Sequence, residues 1–269
     1  MDVSVVLIEY NSLNDVQTCI QALKPKMEAL SFEIIVSSNS NYLPSKQNEI
    51  RKDMPDLKWI FNQRNLGFAK GMNRGIACAS GEAILISNVD VILLTSLKEA
   101  YEYLMQSDFI GMIGPQIIDA NDEIQDSCRE FMTPSIFITR VMKRILHKKS
   151  VLLDTKFNYD IPQAVDWIIG AFMLIKKSAL EKVGTMDEHY FMYVEDMDLC
   201  KRLWLKELQV FYLPSLKVCY KGDRKSLLPI FGKPTSCKYT FHHCMSYARF
   251  CMKFFGRMKR DRSQNLIKN

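Results

Sequence analysis

The chain has 269 residues, of which 48% are hydrophobic and 25% are charged. This length allows one large α/β domain, or one domain with a small appendage, and the composition is that of an ordinary globular protein. The net charge of +6 is moderate and does not by itself indicate a nucleic-acid-binding protein. Eight cysteines at irregular spacing, with no Cys-x-x-Cys pair, argue against a zinc site or a disulfide framework and fit a reducing cytosol.

The first half of the chain alternates short apolar runs with patterns of helical period. The apolar runs predict strands at residues 3–8, 32–37, 57–61, 83–87 and 111–118. Helical spacing predicts a helix around Val16 and Ile20, which Pro25 should distort or end, and further helices at 68–79 and 95–105. This alternation predicts a parallel sheet with helices on both faces.

The second half is less regular. Its polar residues 119–129 predict a loop, residues 134–149 a basic amphipathic helix, and residues 164–176 a strand. A short helix at 178–183 should end at Gly184, and late strands are predicted at 210–213 and 216–220. We predict one continuous domain over residues 1–256, followed by a basic tail at 257–269.

Polar residues follow two of the predicted strands abruptly. Glu9, Tyr10 and Asn11 follow the first strand, and Ser38 and Asn39 follow the second. In a parallel sheet, ligands bind at the carboxyl ends of the strands, so these side chains are candidate ligand contacts. The alternative for the first group is an ordinary strand-to-helix turn with a polar helix cap.

A glycine-rich segment leads into the helix predicted at 68–79. It contains Asn65, Gly67, Phe68 and Asn73. Glycines permit close approach of the backbone, and a helix N-terminus favours a diphosphate. The alternative is close packing of helix on sheet, which accounts for the glycines inside the helix in either case.

Asn88 and Asp90 follow the buried strand at 83–87. Hard cations such as Mg²⁺ prefer one or two carboxylates together with substrate phosphates. Asp90 is therefore a candidate metal ligand. The alternative is a turn aspartate that caps the following helix.

The segment 190–202 carries Glu195, Asp196 and Asp198 directly behind an aromatic cluster. A core helix does not account for them, because unpaired carboxylates are costly to bury. In a helix that begins near residue 194, Glu195, Asp198 and Arg202 share one face, and Asp196 points elsewhere, beyond the helix N-terminus. Asp196 is thus a candidate general base. The alternative is a charge cluster that complements the helix dipole.

In this order, the motifs resemble those of inverting GT-A glycosyltransferases of family 2, particularly the bacterial rhamnosyltransferase-like branch. Residues 191–202 resemble that family's Glu-Asp motif, residues 65–75 its Asn-x-Gly-Phe segment, and residues 86–91 its metal-binding Asp-x-Asp, in the branch where Asn stands first. The resemblance covers residues 3–255. It implies a GT-A-like, Rossmann-related α/β fold with a mostly parallel central sheet, flanking helices and a helical C-terminal tail.

The resemblance also implies roles for individual residues. Asp196, with Glu195 beside it, would take the acceptor hydroxyl proton in a single displacement, and Mg²⁺ or Mn²⁺ at Asp90 would stabilise the departing diphosphate. The nucleotide-sugar half would be residues 1–118 and the acceptor half residues 119–256. The implied donor-binding residues are Glu9, Tyr10, Asn11, Ser38, Asn39, Asn65, Gly67, Phe68, Asn73 and Asn88.

The acceptor contacts implied by the resemblance are Asp166, Trp167 and Gly170, in a segment similar to the family's Trp-x-x-Gly-Ala strand. Aromatic faces pack on the apolar faces of sugars, although a core role is the alternative for Trp167. The implied acceptor is a growing cell-surface or lipid-linked glycan. The implied donor is a nucleoside diphosphate sugar, with dTDP-rhamnose the leading candidate.

Two positions depart from the family pattern. Ser38 stands where an aspartate usually holds the nucleotide base, so a charge-assisted hydrogen bond becomes a neutral one. Tyr220 stands where a histidine often helps to hold metal or diphosphate, and Arg224 is then the candidate that neutralises the diphosphate. These departures motivate a competing hypothesis, a non-catalytic member that binds nucleotide or glycan in an assembly complex. The retained carboxylates argue against it.

The C-terminal run 239–262 interleaves aromatic and basic residues. It predicts a basic amphipathic helix on an anionic membrane, with a solvated helical tail as the alternative. We expect no nucleic-acid partner, because no RNA-binding fold accompanies the run. Since the chain opens in a strand and has no apolar run of roughly 20 residues, we expect neither a signal peptide nor a spanning helix. The expected location is the cytoplasm, peripheral on the inner face of the plasma membrane.

Overall fold

The structure, a computed structural model, describes residues 1–119, 121–145, 157–220 and 234–255. Arg224 and the basic tail at 257–269 lie outside the described residues. Strands and α-helices make up most of the regular structure in the described part. The strands are β1 (Val3–Glu9), β2 (Phe32–Ser38), β3 (Lys58–Phe61), β4 (Ala83–Asn88), β5 (Val91–Leu93), β6 (Ile110–Ile118), β7 (Ile124–Gln125), β8 (Cys128–Arg129), β9 (Gln163–Ala164), β10 (Trp167–Ile168), β11 (Phe172–Lys176) and β12 (Gln209–Tyr220). The helices are α1 (Leu13–Leu23), α2 (Pro44–Asp53), α3 (Phe68–Ile76), α4 (Lys98–Gln106), α5 (Pro134–Ile145), α6 (Lys177–Val183), α7 (Glu195–Trp204) and α8 (Pro234–Lys253).

One sheet runs through the described residues in the order β3-β2-β1-β4-β11-β6-β12-β5. Strands β3, β2, β1 and β4 are parallel to one another, and β6 is parallel to β12. Strand β11 lies antiparallel between β4 and β6. The predicted fold class, a mostly parallel sheet flanked by helices, is confirmed.

The sheet separates two apolar layers. Along β1, Val5 and Leu7 pack in one layer with Val16 of α1, and Val6 packs in the other with Met72 of α3. Because both faces are covered, the strands have the nearly continuous apolar sequences from which they were predicted. The catalytic-motif helix α7 lies in the same layer as α3.

Several predicted elements are wrong in detail. Residues 164–176 form three short strands instead of one, because β10 pairs with β8 in a separate two-stranded sheet. Residues 119–129, predicted as a loop, contain β7 and β8. The two late strands are one strand, β12, whose register shift between Leu213 and Lys217 absorbs the residues between them.

The predicted helices agree more closely with the structure than the predicted strands of the second half do. Helix α1 ends at Leu23, and a 3₁₀ turn around Pro25 follows it, as expected. Helix α5 covers the described part of the amphipathic run at 134–149. Helix α2 was not predicted. No helix in the described part of the chain combines the length and the apolar character needed to cross a membrane.

Candidate active site

A cavity of about 360 Å³ lies where the carboxyl end of β4 meets the N-terminus of α7. Both halves of the chain contribute to its walls. The predicted site residues that line it are Phe68, Asn88, Asp90, Trp167, Gly170, Glu195 and Asp196. Residues from donor, metal, acceptor and catalytic predictions therefore meet in one cavity.

Asp196 is fixed in this cavity by two backbone donors. Its Oδ2 accepts a hydrogen bond from Gly170 N at 2.7 Å, and its Oδ1 accepts one from Met197 N at 2.8 Å. Burial raises the pKa of Asp196 above its ordinary value, although these two N–H groups and the charge of Arg129 act in the lowering direction. A raised pKa makes the carboxylate a stronger base than an exposed aspartate.

Glu195 shares the wall with Asp196. Its Oε2 is buried, and no hydrogen-bond partner for this atom exists among the described residues. Burial and then the neighbouring charge of Asp196 raise the pKa of Glu195 well above its ordinary value. Since two adjacent buried carboxyls do not ionise together easily, the arrangement favours a neutral Glu195 beside an anionic Asp196.

Two residues with positive φ introduce α7. Tyr193 has φ 68° and Val194 has φ 73°. A β-branched residue rarely adopts the left-handed conformation, so Val194 stores local strain. This turn directs the side chains of Glu195 and Asp196 into the cavity, where both line the wall.

Buried ion pairs hold the segment around α7. Asp198 is fully buried, and its carboxylate contacts Arg202 Nε at 2.7 Å and Lys253 Nζ of α8 at 2.6 Å. Lys253 also contacts Asp187 at 2.8 Å. Burial acts to raise the pKa of Asp187. Hydrogen bonds from Lys253 and His189 outweigh this effect and hold the pKa well below its ordinary value. Helix α8 is thereby fastened to α7.

The metal prediction rests on Asn88 and Asp90 at the end of β4. Asn88 lines the cavity, and its buried Oδ1 has no hydrogen-bond partner among the described residues, which leaves this oxygen available as a ligand. No cluster of three or more His, Cys, Asp or Glu residues that could hold a metal exists in the described part. One carboxylate and one amide oxygen fit a Mg²⁺ or Mn²⁺ ion whose other ligands come from a diphosphate and water.

Arg129 and Trp167 also line the cavity. The Arg129 guanidinium lies 5.2 Å from the centroid of the Trp167 ring and pairs with Asp126 at 2.6 Å. The Trp167 indole donates to Glu130 O at 2.9 Å. Trp167 is only 4% exposed and packs in the apolar core, so this part of the lining contributes mainly the positive charge of Arg129 close to Asp196.

Glu9 anchors the neighbouring strand ends. It is fully buried at the end of β1, and its Oε2 accepts a hydrogen bond of 2.5 Å from Ser38 Oγ. Its Oε1 accepts from Ser12 N, Ser40 Oγ and Tyr42 OH at 2.8 to 3.0 Å. Glu9 therefore ties the turn after β1 to the loop after β2.

With this geometry established, comparisons with known proteins identify the family. Residues 4–184 match the sequence model of glycosyl transferase family 2. The chain belongs to glycosyltransferase family 2. The resemblance inferred from the motifs is thus confirmed, and this chain is a glycosyltransferase.

Two relatives show the branch of the family. The glycosyltransferase is 30% identical over 200 residues to rhamnosyltransferase WbbL of Escherichia coli K12, covering 68% of this chain and 70% of that protein. It is 24% identical over 237 residues to the N-acetylglucosaminyl-diphospho-decaprenol L-rhamnosyltransferase of Mycobacterium tuberculosis, covering 80% and 73%.

Solved structures share the GT-A-like fold of this glycosyltransferase. GalNAc-T7, solved with UDP, GalNAc and Mn²⁺, aligns with a TM-score of 0.65 at 13% identity, over 94% of this chain and 48% of that chain. Mannosyltransferase PcManGT from Pyrobaculum calidifontis, solved with GDP-Man and Mn²⁺, aligns with a TM-score of 0.57 at 14% identity, over 93% and 64%. The glycosyltransferase spans about half of the GalNAc-T7 chain.

Several predicted donor residues of the glycosyltransferase lie beside the cavity and brace its walls. Asn39 Nδ2 donates to Gly67 O at 2.9 Å, and Asn65 Oδ1 accepts from Gly67 N at 2.9 Å. Gly67 has φ +83°, and its neighbour Phe68 donates N–H to Phe191 O at 2.8 Å, so this loop packs on the segment that precedes α7. Direct donor contacts by these residues stay predictions.

Asn73, Asp166 and the first strand end also lie outside the cavity lining. Asn73 exchanges hydrogen bonds with the backbone of Met186 and lines a second cavity of about 430 Å³. Asp166 is buried and accepts a hydrogen bond from Phe131 N at 2.9 Å. Their ligand contacts, like those of the exposed residues Tyr10 and Asn11, stay predictions.

Sequence reasoning missed three polar cavity residues, Arg129, Tyr193 and His243. Arg129 falls in a segment predicted as loop, and Tyr193 belongs to the aromatic cluster that precedes Glu195. His243 comes from α8, where its ring lies 5.2 Å from that of Tyr193. The basic and aromatic pattern of α8 predicts a surface helix. It does not indicate that one side of this helix lines a cavity.

Proposed function

We propose that this glycosyltransferase moves a sugar, with inversion, from a nucleoside diphosphate sugar to a hydroxyl group of a cell-surface or lipid-linked glycan. The observation that carries the proposal is Asp196. Its carboxylate is held by two N–H donors in a cavity that also contains Asn88, Asp90 and Trp167. A fixed, partly desolvated carboxylate between a donor side and an acceptor side is suited to general-base catalysis.

In the proposed reaction, Asp196 accepts the proton of the acceptor hydroxyl as its oxygen attacks the anomeric carbon. The bond from that carbon to the diphosphate oxygen breaks on the opposite face, which inverts the configuration. Gly170 N and Met197 N keep the Asp196 oxygens oriented throughout. A neutral Glu195 leaves Asp196 as the single anion of the pair, and the part of Trp167 that lines the cavity contacts the acceptor sugar.

A divalent ion is part of the proposal. Asp90 and Asn88 would hold Mg²⁺ or Mn²⁺ jointly with the donor diphosphate, which the orphaned Asn88 Oδ1 supports. Such an ion supplies Lewis-acid stabilisation of the charge on the leaving diphosphate. Two structural neighbours were solved with Mn²⁺, which supports the same assignment.

The donor sugar is proposed from the relatives. Both relatives described above are named as rhamnosyltransferases, which supports dTDP-rhamnose as the donor. The name of the mycobacterial relative includes a diphospho-decaprenol compound, which supports a lipid-linked acceptor. We propose that the enzyme works in the cytoplasm, peripheral on the inner face of the plasma membrane, with its basic tail at 257–269 in contact with anionic lipid.

A panel of nucleotide sugars, tested by thermal shift and by release of nucleoside diphosphate with and without Mn²⁺, tests this function. A ligand at 100 times its dissociation constant stabilises a protein by roughly 2.7 kcal/mol, so the true donor should be visible. The proposal expects slow metal-dependent hydrolysis of that donor even without an acceptor. A donor that binds but is never cleaved would favour the competing hypothesis of a non-catalytic binding protein.

A further inference from the structure

We propose that a folded face formed by α8 and α5 docks on the surface of a bilayer that contains anionic lipid. This inference deepens the proposed function, because it assigns the membrane contact to structured helices as well as to the tail. It rests on the proposed function only where it assumes that the acceptor is lipid-linked. Docking itself can be measured without any sugar transfer.

An exposed apolar stripe runs along α8 and the residues just after it. Its members recur at i, i+4, i+7, i+11 and i+14, which places them on one side of a helix. Their exposed fractions are high, at 62%, 56%, 74% and 89% for Phe241, Met245, Met252 and Phe255, with the exposed Ala248 between them. Single exposed apolar residues are ordinary, whereas an aligned row of this length marks an interaction surface.

Helix α5 packs on α8 and also exposes apolar side chains. The ring of Phe137 stacks on that of Tyr247, with 3.9 Å between centroids, and contacts His243 edge-on. One turn apart on α5, Ile138 and Met142 are 60% and 48% exposed. Apolar side chains therefore project from two helices that pack against each other. We call these exposed residues of α5 and α8 the docking face.

The charge of the two segments identifies the partner. Neither residues 131–153 nor residues 224–260 contain an aspartate or glutamate, and both contain several lysines and arginines. Apolar side chains interleaved with basic ones are the composition of helices that lie in an anionic lipid interface. A second copy of this chain would bring the same positive charge against itself, so a bilayer fits the docking face better.

The opposite side of α8 reaches the active site. His243 lines the cavity, and Ser246 Oγ donates to Met192 O at 3.0 Å. Lys253 pairs with Asp198 of α7 at 2.6 Å. The helix that would lie on the bilayer is thus also a wall of the catalytic cavity. A glycan carried by a membrane lipid would reach Asp196 from this side.

Vesicle co-sedimentation of the full chain tests the proposal, with vesicles of phosphatidylcholine alone or mixed with phosphatidylglycerol. The double variant Met252→Ser and Phe255→Ser removes two of the four large side chains of the stripe, and Phe241→Ser with Met245→Ser removes the other two. The matched control is Leu43→Ser, an equally exposed apolar residue, at 73%, just before α2. All these side chains are largely exposed, so folding should persist, which circular dichroism checks.

We expect full-length protein to sediment with the anionic vesicles. Because interfacial binding scales with the apolar area buried, each double variant should bind about tenfold more weakly, and Leu43→Ser should bind like the unaltered chain. Truncation after Gly256 should remove mainly the salt-sensitive part of binding. The double variants should also lose activity on a lipid-linked acceptor while keeping activity on a soluble acceptor analogue.

Two results would overturn the docking face. One is vesicle binding by both double variants that equals binding by the Leu43→Ser control. The other is a stripe-dependent dimer in sedimentation velocity without vesicle binding, which would assign the face to a second copy. If the double variants lose vesicle binding but no nucleotide sugar is ever cleaved, the docking face stands and the proposed function fails.

Discussion

The backbone N–H of Gly170 donates a 2.7 Å hydrogen bond to Oδ2 of Asp196, and a methyl group on Gly170 would lie 3.2 Å from Cβ of Asp196. That separation is tighter than ordinary van der Waals contact between carbons. The turn between β10 and β11 therefore sets the position of the proposed base, and it does so through a residue without a side chain.

Gly170→Ala should consequently displace Asp196 by a few tenths of an ångström. Small misplacements of a catalytic group are costly, so we expect kcat to fall by about tenfold or more with little change in donor KM. Steady-state kinetics measures both. The control is Gly111→Ala, where an added methyl would lie 3.1 Å from Leu203 and Leu208, away from the cavity lining. It should lower stability and spare kcat, and an unchanged kcat in Gly170→Ala would refute the positioning argument.

Lys253→Met should destabilise the enzyme, because Asp198 is fully buried and loses one of its two cationic partners. The expected loss is about 1–3 kcal/mol in the free energy of unfolding, measured by urea titration. Lys98→Met, which breaks a surface pair with Glu102, is the control and should cost less than about 0.5 kcal/mol. Equal losses in the free energy of unfolding for the two variants would show that the buried ion pair stabilises the fold no more than the surface pair does.

The pH dependence of activity and that of stability should run in opposite directions. Burial raises the pKa of Asp196 above 3.8 and that of Glu195 well above 4.5. Since the base works as an anion, activity should rise with pH on the acid limb. A carboxyl with a raised pKa in the folded state contributes stability that is complete below its unfolded pKa and is lost as pH rises through the folded pKa.

Glu195→Gln should therefore flatten the fall in Tm between weakly acidic and neutral pH, and it should raise Tm at neutral pH. Thermal unfolding across this range measures the slope. Glu99→Gln, at an exposed residue of α4, should keep the slope of the unaltered enzyme. A parallel curve for Glu195→Gln would mean that Glu195 is an ordinary ionised carboxylate.

Metal binding should depend on nucleotide. Asp90 and Asn88 offer two oxygens, too few to hold a hard cation tightly without a diphosphate. Calorimetry should detect little Mn²⁺ binding to the free enzyme and clear binding once nucleoside diphosphate is added. Asp90→Asn should weaken the second binding. Tight Mn²⁺ binding without nucleotide would contradict this account.

Much of the fold was predictable, because the strands nearest the donor side are buried on both faces and so have continuous apolar sequences. Helix α2 was missed because Ile50 is its single buried residue, which leaves no apolar periodicity. The sequence predicts one strand at residues 164–176 because it is apolar along most of this length. In the structure, two different sheets bury these apolar residues. Local patterns do not encode that switch of partner.

The site was predictable where its residues are neighbours in sequence. Glu195 and Asp196 were found because carboxylates behind aromatic residues are unusual, and both line the cavity. Arg129 and His243 were missed, since only tertiary packing brings β8 and α8 to this wall. The donor contact of Glu9 stays a prediction, and its four hydrogen bonds add an anchoring role that no local signal predicts.

The central claim, that Asp196 is the catalytic base, is tested most directly by Asp196→Asn in single-turnover transfer from the identified donor. The amide preserves the shape of the side chain but cannot take a proton. We predict a rate loss on the order of 10²–10⁴, donor binding within a few-fold of the unaltered enzyme, and a control variant, Glu188→Gln, with normal transfer. Near-normal transfer by Asp196→Asn, with donor binding intact, would contradict the account.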